Sequence, residues 1–342
     1  MTTTLFRRPV LAALLATMLA TMLALGAPAR DAAAEVNEVR FVRQLGLGYL
    51  QIYLLEDLRL VEKHAAAAGL TVRAGYTALG LPSALNDALL SDSADLVAAG
   101  ITPFITLWDR TRGKGDVKAL AALNSQPAFL NTTNPAVRTI ADFTDKDRIA
   151  LPSVKVAYQA TILQMAAEKA FGQFDRLDPL TVSLAHPDAT AALLSGHGDI
   201  TAHFTSPPFQ YQQLANPRVH RVLSSYEVLG GPATFSGLWT TTKFHDANPR
   251  LIKAILAALE EANGIIHADP RRAAEVYVRL DRSRLSAEEV ETLLRDPDIF
   301  YTIAPQHITR YTDFMARAGT IAKAPASWKD LFFPEIHHLA GS

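Results

Sequence analysis

Short, unbroken apolar runs alternate along this chain with segments whose apolar residues recur at helical spacing. Ile149–Leu151 is such a run and suits a buried parallel strand. Pro152 ends it, and Ser153 offers a side-chain oxygen to cap the amides that follow. Leu163, Ala167, Ala170 and Phe171 then share one helical face, and Gly172 stands where a C-terminal cap belongs. The unit reads strand, turn, helix, and such a turn points helix amides with partial positive charge at whatever lies beyond the sheet.

The same alternation fills the chain from Glu35 onward. It predicts strands at Val39–Gln44, Thr71–Tyr76 and Leu96–Ala99, with helices from Leu50 to about Ala68, from Pro82, and after Gly100. There Thr102 reads as the cap and Pro103 as the first helical residue. A second set follows, with strands at Leu180–Leu184 and Ile200–His203 and a helix from about Pro187 to Ser195. Thr205-Ser206-Pro207-Pro208 repeats the hydroxyl-then-proline helix start. Strand and helix in alternation imply a mostly parallel sheet covered on both faces. Ligands of such sheets bind beyond the carboxyl ends of the strands, where Thr102, Ser153 and Ser206 gather.

Two stretches break the pattern. Lys118–Leu123 is apolar and extended and runs on through Asn124–Asn131 without helical periodicity, as a connection between lobes would. Gly230–Gly237 is the matching candidate for the return. The boundaries expected are therefore 35–125 with 235–342 for one lobe and 126–234 for the other. Beyond Pro249 the chain reads as helices over Pro249–Ala268, Pro270–Leu280, Ala287–Arg295 and Gln306–Ala318, packing on the first lobe.

Residues 1–34 carry a different signature. Arg7 and Arg8 precede an apolar run from Pro9 to Leu25, and Ala27-Pro28-Ala29 and Ala32-Ala33-Ala34 offer small-x-small cleavage sites. We read a secretory signal peptide. The chain contains no cysteine, which excludes disulfides, a lipid-anchored cysteine, thiol catalysis and cysteine-ligated metals. Loss of residues 1–34 turns 33 basic and 34 acidic residues into 30 and 33, so no basic excess suggests nucleic acid.

Motifs for chemistry are sparse. Gly46-Leu47-Gly48-Tyr49-Leu50-Gln51 follows a strand like a dinucleotide fingerprint, but Gln51 replaces the third glycine and Tyr49 crowds the phosphate position. Phe235-Ser236-Gly237 lacks the flanking glycine of a nucleophile elbow. His197, Asp199 and His203 show no metal-ligand spacing, and Gly196-His197-Gly198-Asp199 reads as a polar turn. No metal, cofactor or catalytic group is expected. Tyr49 and Tyr158 open their helices with a flat face and a polar tip.

The order of these motifs resembles the periplasmic substrate-binding proteins of ABC importers, in the nitrate, sulfonate and taurine family that includes thiamine-pyrimidine-precursor proteins. The resemblance is carried by Leu45-Gly46-Leu47-Gly48-Tyr49 with Leu60-Val61-Glu62-Lys63-His64, by Ala94-Asp95-Leu96-Val97-Ala98-Ala99-Gly100, and by Ile140-Ala141-Asp142-Phe143 running into Arg148–Ser153. Leu194-Ser195-Gly196-His197-Gly198-Asp199-Ile200 and the tail Ser327-Trp328-Lys329-Asp330-Leu331-Phe332 continue it. Arg59 stands where the family usually has glycine.

The resemblance implies a type II periplasmic-binding fold, α/β, with two lobes joined by two crossover strands and a helical C-terminal tail. It implies a periplasmic monomer that closes on a small anionic or aromatic solute and delivers it to a membrane permease driven by an ATPase. The expected pocket is Tyr49 and Thr102 from the first lobe, Ser153, Tyr158, His203 and Thr205 from the second, and Thr234 at the return crossing. A ligand sensor uses the same scaffold. An enzyme making the thiamine pyrimidine needs a cysteine-rich motif that this chain lacks.

Overall fold

The computed structural model describes residues 35–196 and 198–342; the expected signal peptide over 1–34 and the turn residue His197 lie outside the described residues. The strands form two sheets. The first is six-stranded, in the order β11-β4-β10-β3-β1-β2. Its members are β1 (Glu38–Arg43), β2 (Arg73–Ala78), β3 (Leu96–Gly100), β4 (Val117–Ser125), β10 (Thr234–Thr241) and β11 (Phe300–Tyr301). The second is five-stranded, β7-β6-β8-β5-β9. It contains β5 (Phe129–Thr132), β6 (Ile149–Leu151), β7 (Thr181–Ser183), β8 (Ala202–Thr205) and β9 (His220–Ser224). Each sheet with its helices is one α/β lobe.

The sheets are mixed, which corrects the expectation of mostly parallel pairing. β1 pairs parallel with β2 and β3, and β6 parallel with β7 and β8. β10 runs antiparallel between β3 and β4, and β5 antiparallel between β8 and β9. The reason is the route of the chain. β4 passes through Gln126-Pro127-Ala128 directly into β5 of the other sheet, and β10 returns after Gly230–Ala233. A strand that arrives from the opposite lobe lacks the helical crossover that makes neighbours parallel.

The helix read over Leu50 to about Ala68 is two helices, α1 (Leu50–Leu58) and α2 (Leu60–Ala67), broken at Arg59. Arg59 adopts a left-handed conformation with φ 51°, which a glycine reaches at lower cost. α3 (Pro82–Leu90) and α4 (Ile101–Thr111) complete the first set. The C-terminal helices α10 (Pro249–Ala268), α11 (Pro270–Asp281), α12 (Ala287–Leu294) and α13 (Ile308–Arg317) fall close to their expected bounds. Proline at the first helical position of α10 and α11 and a capping Asp269 or Ser286 explain the legibility of α10, α11 and α12.

α10 buries Leu251, Ile252, Ile255, Leu259 and Ile266 and packs against α1 and α2, and α11 packs on α1. The hydroxyls of Tyr53 and Tyr277 both donate to Asp281, and the Arg43 guanidinium lies 3.6 Å over the Tyr53 ring. The tail closes back on β4, where the Phe333 amide donates to the Ala119 carbonyl at 2.9 Å. No described helix is long and apolar enough to cross a membrane.

Candidate functional site

One end of the first sheet presents four adjacent strands to the second lobe. Gln126 follows β4, Thr234 and Phe235 begin β10, Gly100 ends β3 with Thr102 just beyond it, and Gln44 follows β1. The register makes this a continuous row, since Ser236 pairs with Gly100 and Thr234 with Ser125. Facing it are the strand ends of the second sheet: β6 running into Ser153, β7 into the turn before α6 (His186–Ser195), and β8 into Pro207.

The two rows meet along a tight seam. The Leu47 amide donates to the Pro207 carbonyl at 3.0 Å. Gly46, at φ 113°, lets the backbone turn here, and any Cβ on it would stand 3.0 Å from that same carbonyl oxygen. Close approach continues at Gly100, where an added Cβ would lie 3.0 Å from Tyr158 Cβ. Between the lobes the Phe235 ring packs edge-on against Tyr158, with centroids 4.9 Å apart, and sits 6.5 Å from Tyr49. Farther along, the Tyr226 hydroxyl donates to the Asp298 carbonyl at 2.9 Å, and Arg317 pairs with Glu168 at 3.0 Å.

Gln44 organises the first wall. Its Oε1 accepts from the Tyr49 hydroxyl at 2.9 Å and from the Gly100 amide at 3.2 Å. The amide of Gly100, the residue in the capping position of α4, is therefore engaged by a neutral side chain. Tyr49 is fully buried, and burial pushes its pKa far up. Thr102 is the second residue of α4, with Gly100 in the capping position, so its hydroxyl does not cap the helix as the sequence suggested. That hydroxyl is buried and has no hydrogen-bond partner.

The second wall differs more from its reading. Ser153 does not cap a helix. A turn intervenes, with Lys155 left-handed at φ 62°, and α5 (Tyr158–Phe171) starts only after Ala157. The Ser153 carbonyl accepts from the Ala157 amide at 3.0 Å instead. α5 is buried around its whole circumference from Tyr158 to Ala167, while Phe171, placed on the buried face by periodicity, is 36% exposed. Tyr158 opens this helix as expected, and burial raises its pKa to about 12.

His203 and Thr205 point into a polar network within the second lobe. His203 Nε2 lies 3.0 Å from His186 Nδ1, and its Nδ1 lies 2.6 Å from Gln213 Nε2. The Thr205 hydroxyl is 2.9 Å from His186 Nδ1. Gln213 belongs to α7 (Phe209–Leu214), whose Gln210 side chain accepts from the Phe129 amide and donates to the Pro127 carbonyl. Desolvation drives the His186 pKa down to about 3 and that of His203 well below its ordinary value. Both imidazoles are neutral. Among the described residues no cluster of three or more His, Asp or Glu side chains could hold a metal.

Thr234 holds the return crossing: its hydroxyl accepts from the Gln306 amide at 2.8 Å, and its carbonyl accepts from the Tyr311 hydroxyl at 2.9 Å. The structure thus brings Tyr49, Thr102 and Tyr158 to the seam, and sets Ser153, His203, Thr205 and Thr234 around it as supports. Sequence reading missed Gln44, Gln126, His186 and the α7 glutamines. A polar amide at the end of an apolar run was the available signal for Gln44 and Gln126.

No family model matches the chain, and no curated protein sequence does. Solved structures do. The alkanesulfonate-binding protein SsuA from Xanthomonas axonopodis pv. citri bound to MOPS superposes with TM-score 0.66 at 18% identity, covering 84% of this chain and 93% of that one. The periplasmic nitrate-binding protein NrtA from Synechocystis PCC 6803 gives 0.65 at 14% identity, covering 86% and 84%. The Candida albicans CA3427 gene product, described as having the generic periplasmic binding protein fold, gives 0.66 at 12%, covering 85% and 92%. These likenesses establish the fold: a type II periplasmic-binding architecture of two α/β lobes joined by crossing strands.

Proposed function

We propose that this chain is an extracytoplasmic solute-binding protein that captures a small organic solute between its lobes and hands it to an ABC import permease. The observation that carries the reading is the seam itself. Strand ends and the N-termini of α4 and α5 from two sheets converge there, the site where open α/β sheets bind ligands. What supports it further is the likeness, over most of both chains, to proteins described as sulfonate-binding and nitrate-binding components. The lobes would comprise 35–125 with 235–342 and 126–234, the hinge lying at Gln126–Ala128 and Gly230–Ala233. Tyr49, Thr102 and Tyr158 would touch the solute. Binding would favour the closed arrangement because only there do both walls contact it.

The test is a thermal-shift and calorimetric screen of residues 35–342, refolded to strip any carried solute. The panel holds alkanesulfonates, taurine, nitrate, aromatic carboxylates, carboxamides and pyrimidines. At a hundredfold over its dissociation constant, a genuine ligand adds ~2.7 kcal/mol of stability. The expected result is one saturable, equimolar binder weakened by Tyr158→Ala. Failure of the panel and of a periplasmic small-molecule extract to shift the protein would count against the reading.

A further inference from the structure

The seam contains a primary amide with nothing to bond to. Gln126 is fully buried, and neither its Oε1 nor its Nε2 has a hydrogen-bond partner. Other buried amides nearby are engaged: Gln44 by Tyr49 and Gly100, Gln210 by the crossing segment, Gln213 by His203, and Asn124 through its Nδ2 to the Gly48 carbonyl. Among the buried side-chain amides of the described residues Gln126 is the one with both ends free. It lies close against Gly48 and Phe235. Its Nε2 lies 2.9 Å from where a Cβ on Gly48 would stand, and Phe235 Cε1 lies 2.6 Å from the same point. The Thr102 hydroxyl, two residues beyond Gly100 and one strand removed across β10, is a further buried group without a partner.

Buried donors and acceptors are costly to leave unmade, and native proteins leave few of them. Two such groups at the same end of one sheet, beyond β4 and β3 with β10 between them, point to a molecule that completes them. The side chains at the seam also constrain its charge. Gln44, Tyr49, Thr102, Gln126, Tyr158 and Phe235 carry no charge near neutral pH, and the amide of Gly100 already serves Gln44. Arg43, the last residue of β1, stacks on Tyr53 and has Glu56 as its countercharge at 3.4 Å, although its Nε and Nη1 are buried without a partner, and Lys155 is exposed on its turn. An anion buried among these groups would lack a countercharge.

We propose, resting on the solute-binding reading above, that the site takes a neutral planar solute. Its edge would carry an adjacent N–H donor and C=O acceptor, the chemistry of a carboxamide, urea or lactam. That edge pairs with both ends of the Gln126 amide, the Thr102 hydroxyl adds a third contact, and Phe235 and Tyr158 supply apolar faces.

A matched series isolates the head group: benzamide, benzoate and benzenesulfonate, titrated calorimetrically into stripped residues 35–342. The account expects benzamide to bind at least tenfold more tightly than either anion. Gln126→Leu should weaken benzamide at least tenfold while leaving the free protein as stable as before or more so, because an orphaned polar group has been removed. Thr102→Val should weaken it less. A structural role for Gln126 predicts the reverse, a less stable protein with unchanged affinity. Tighter binding of either anion, binding of none of the three, or intact affinity in Gln126→Leu overturns the neutral-amide assignment. The solute-binding reading is decided separately, by the wider panel.

Discussion

Two residues show how local backbone chemistry sets the architecture. Arg59 occupies a left-handed position between α1 and α2, and its ion pair with Glu62, at 3.9 Å on an exposed side chain, offers little in return. Arg59→Gly should therefore stabilise the protein by about 0.5–1 kcal/mol, read from chemical denaturation midpoints at constant slope. A loss of stability would mean that the arginine side chain matters more than its backbone. Gly48 is the opposite case. A methyl group there would press on the Phe235 ring and the Gln126 amide, within a turn anchored by Asn124 and by Ser236 to the Gly48 carbonyl. Gly48→Ala should cost ~1–3 kcal/mol by overpacking and should weaken any ligand held at the seam. An unchanged denaturation midpoint would show that Phe235 can move aside.

At the level of elements, the paired histidines of the second lobe make a prediction about acid. In the folded chain both are neutral because burial depresses their pKa, that of His186 to about 3, whereas in the unfolded chain each titrates near 6.5. The unfolded state thus binds more protons below that value. The stability associated with the neutral pair is complete above pH 6.5 and is lost as pH falls toward 3. Each histidine contributes a slope of about 1.4 kcal/mol per pH unit in that window. Denaturation at pH 7, 6 and 5 should show the decline, and His186→Gln should flatten it by about half. A flat profile in the unsubstituted protein would contradict the burial of this pair.

Elements also show what the sequence could and could not disclose. Helices with a proline first and an acid or hydroxyl before it, such as α11 behind Asp269, were readable almost to the residue, because a local bond defines their start. Ser153 misled because a hydroxyl after a strand looks the same whether it caps a helix or opens a turn like that at Lys155. Antiparallel β5 and β10 were not readable as such, since their direction depends on which sheet the chain enters. Tyr49, Thr102 and Tyr158, read as candidates from the sequence, lie where the two sheets meet, whereas their hydrogen-bond partners were not readable. His186 becomes notable only when β7 and β8 bring it within 3.0 Å of His203, residues that the sequence keeps apart.

On the scale of the whole molecule, two lobes joined at Gln126–Ala128 and Gly230–Ala233 meet along a seam where glycines permit close approach and aromatic rings fill the gap. A solute bound at this seam should determine how the lobes sit together. The absence of cysteine makes one measurement direct. Asp87 on α3 and Lys146 on the second lobe are exposed, so Asp87→Cys with Lys146→Cys can carry a single pair of spin labels. Electron–electron distance measurements would then compare stripped residues 35–342 with the same protein saturated by the strongest binder from the screen. Without solute the distribution should be broad or longer, with solute it should collapse to one shorter distance, and Tyr158→Ala should blunt the change. An identical distribution at saturating solute would contradict the account, since occupancy of the seam would then have no hold over the lobes.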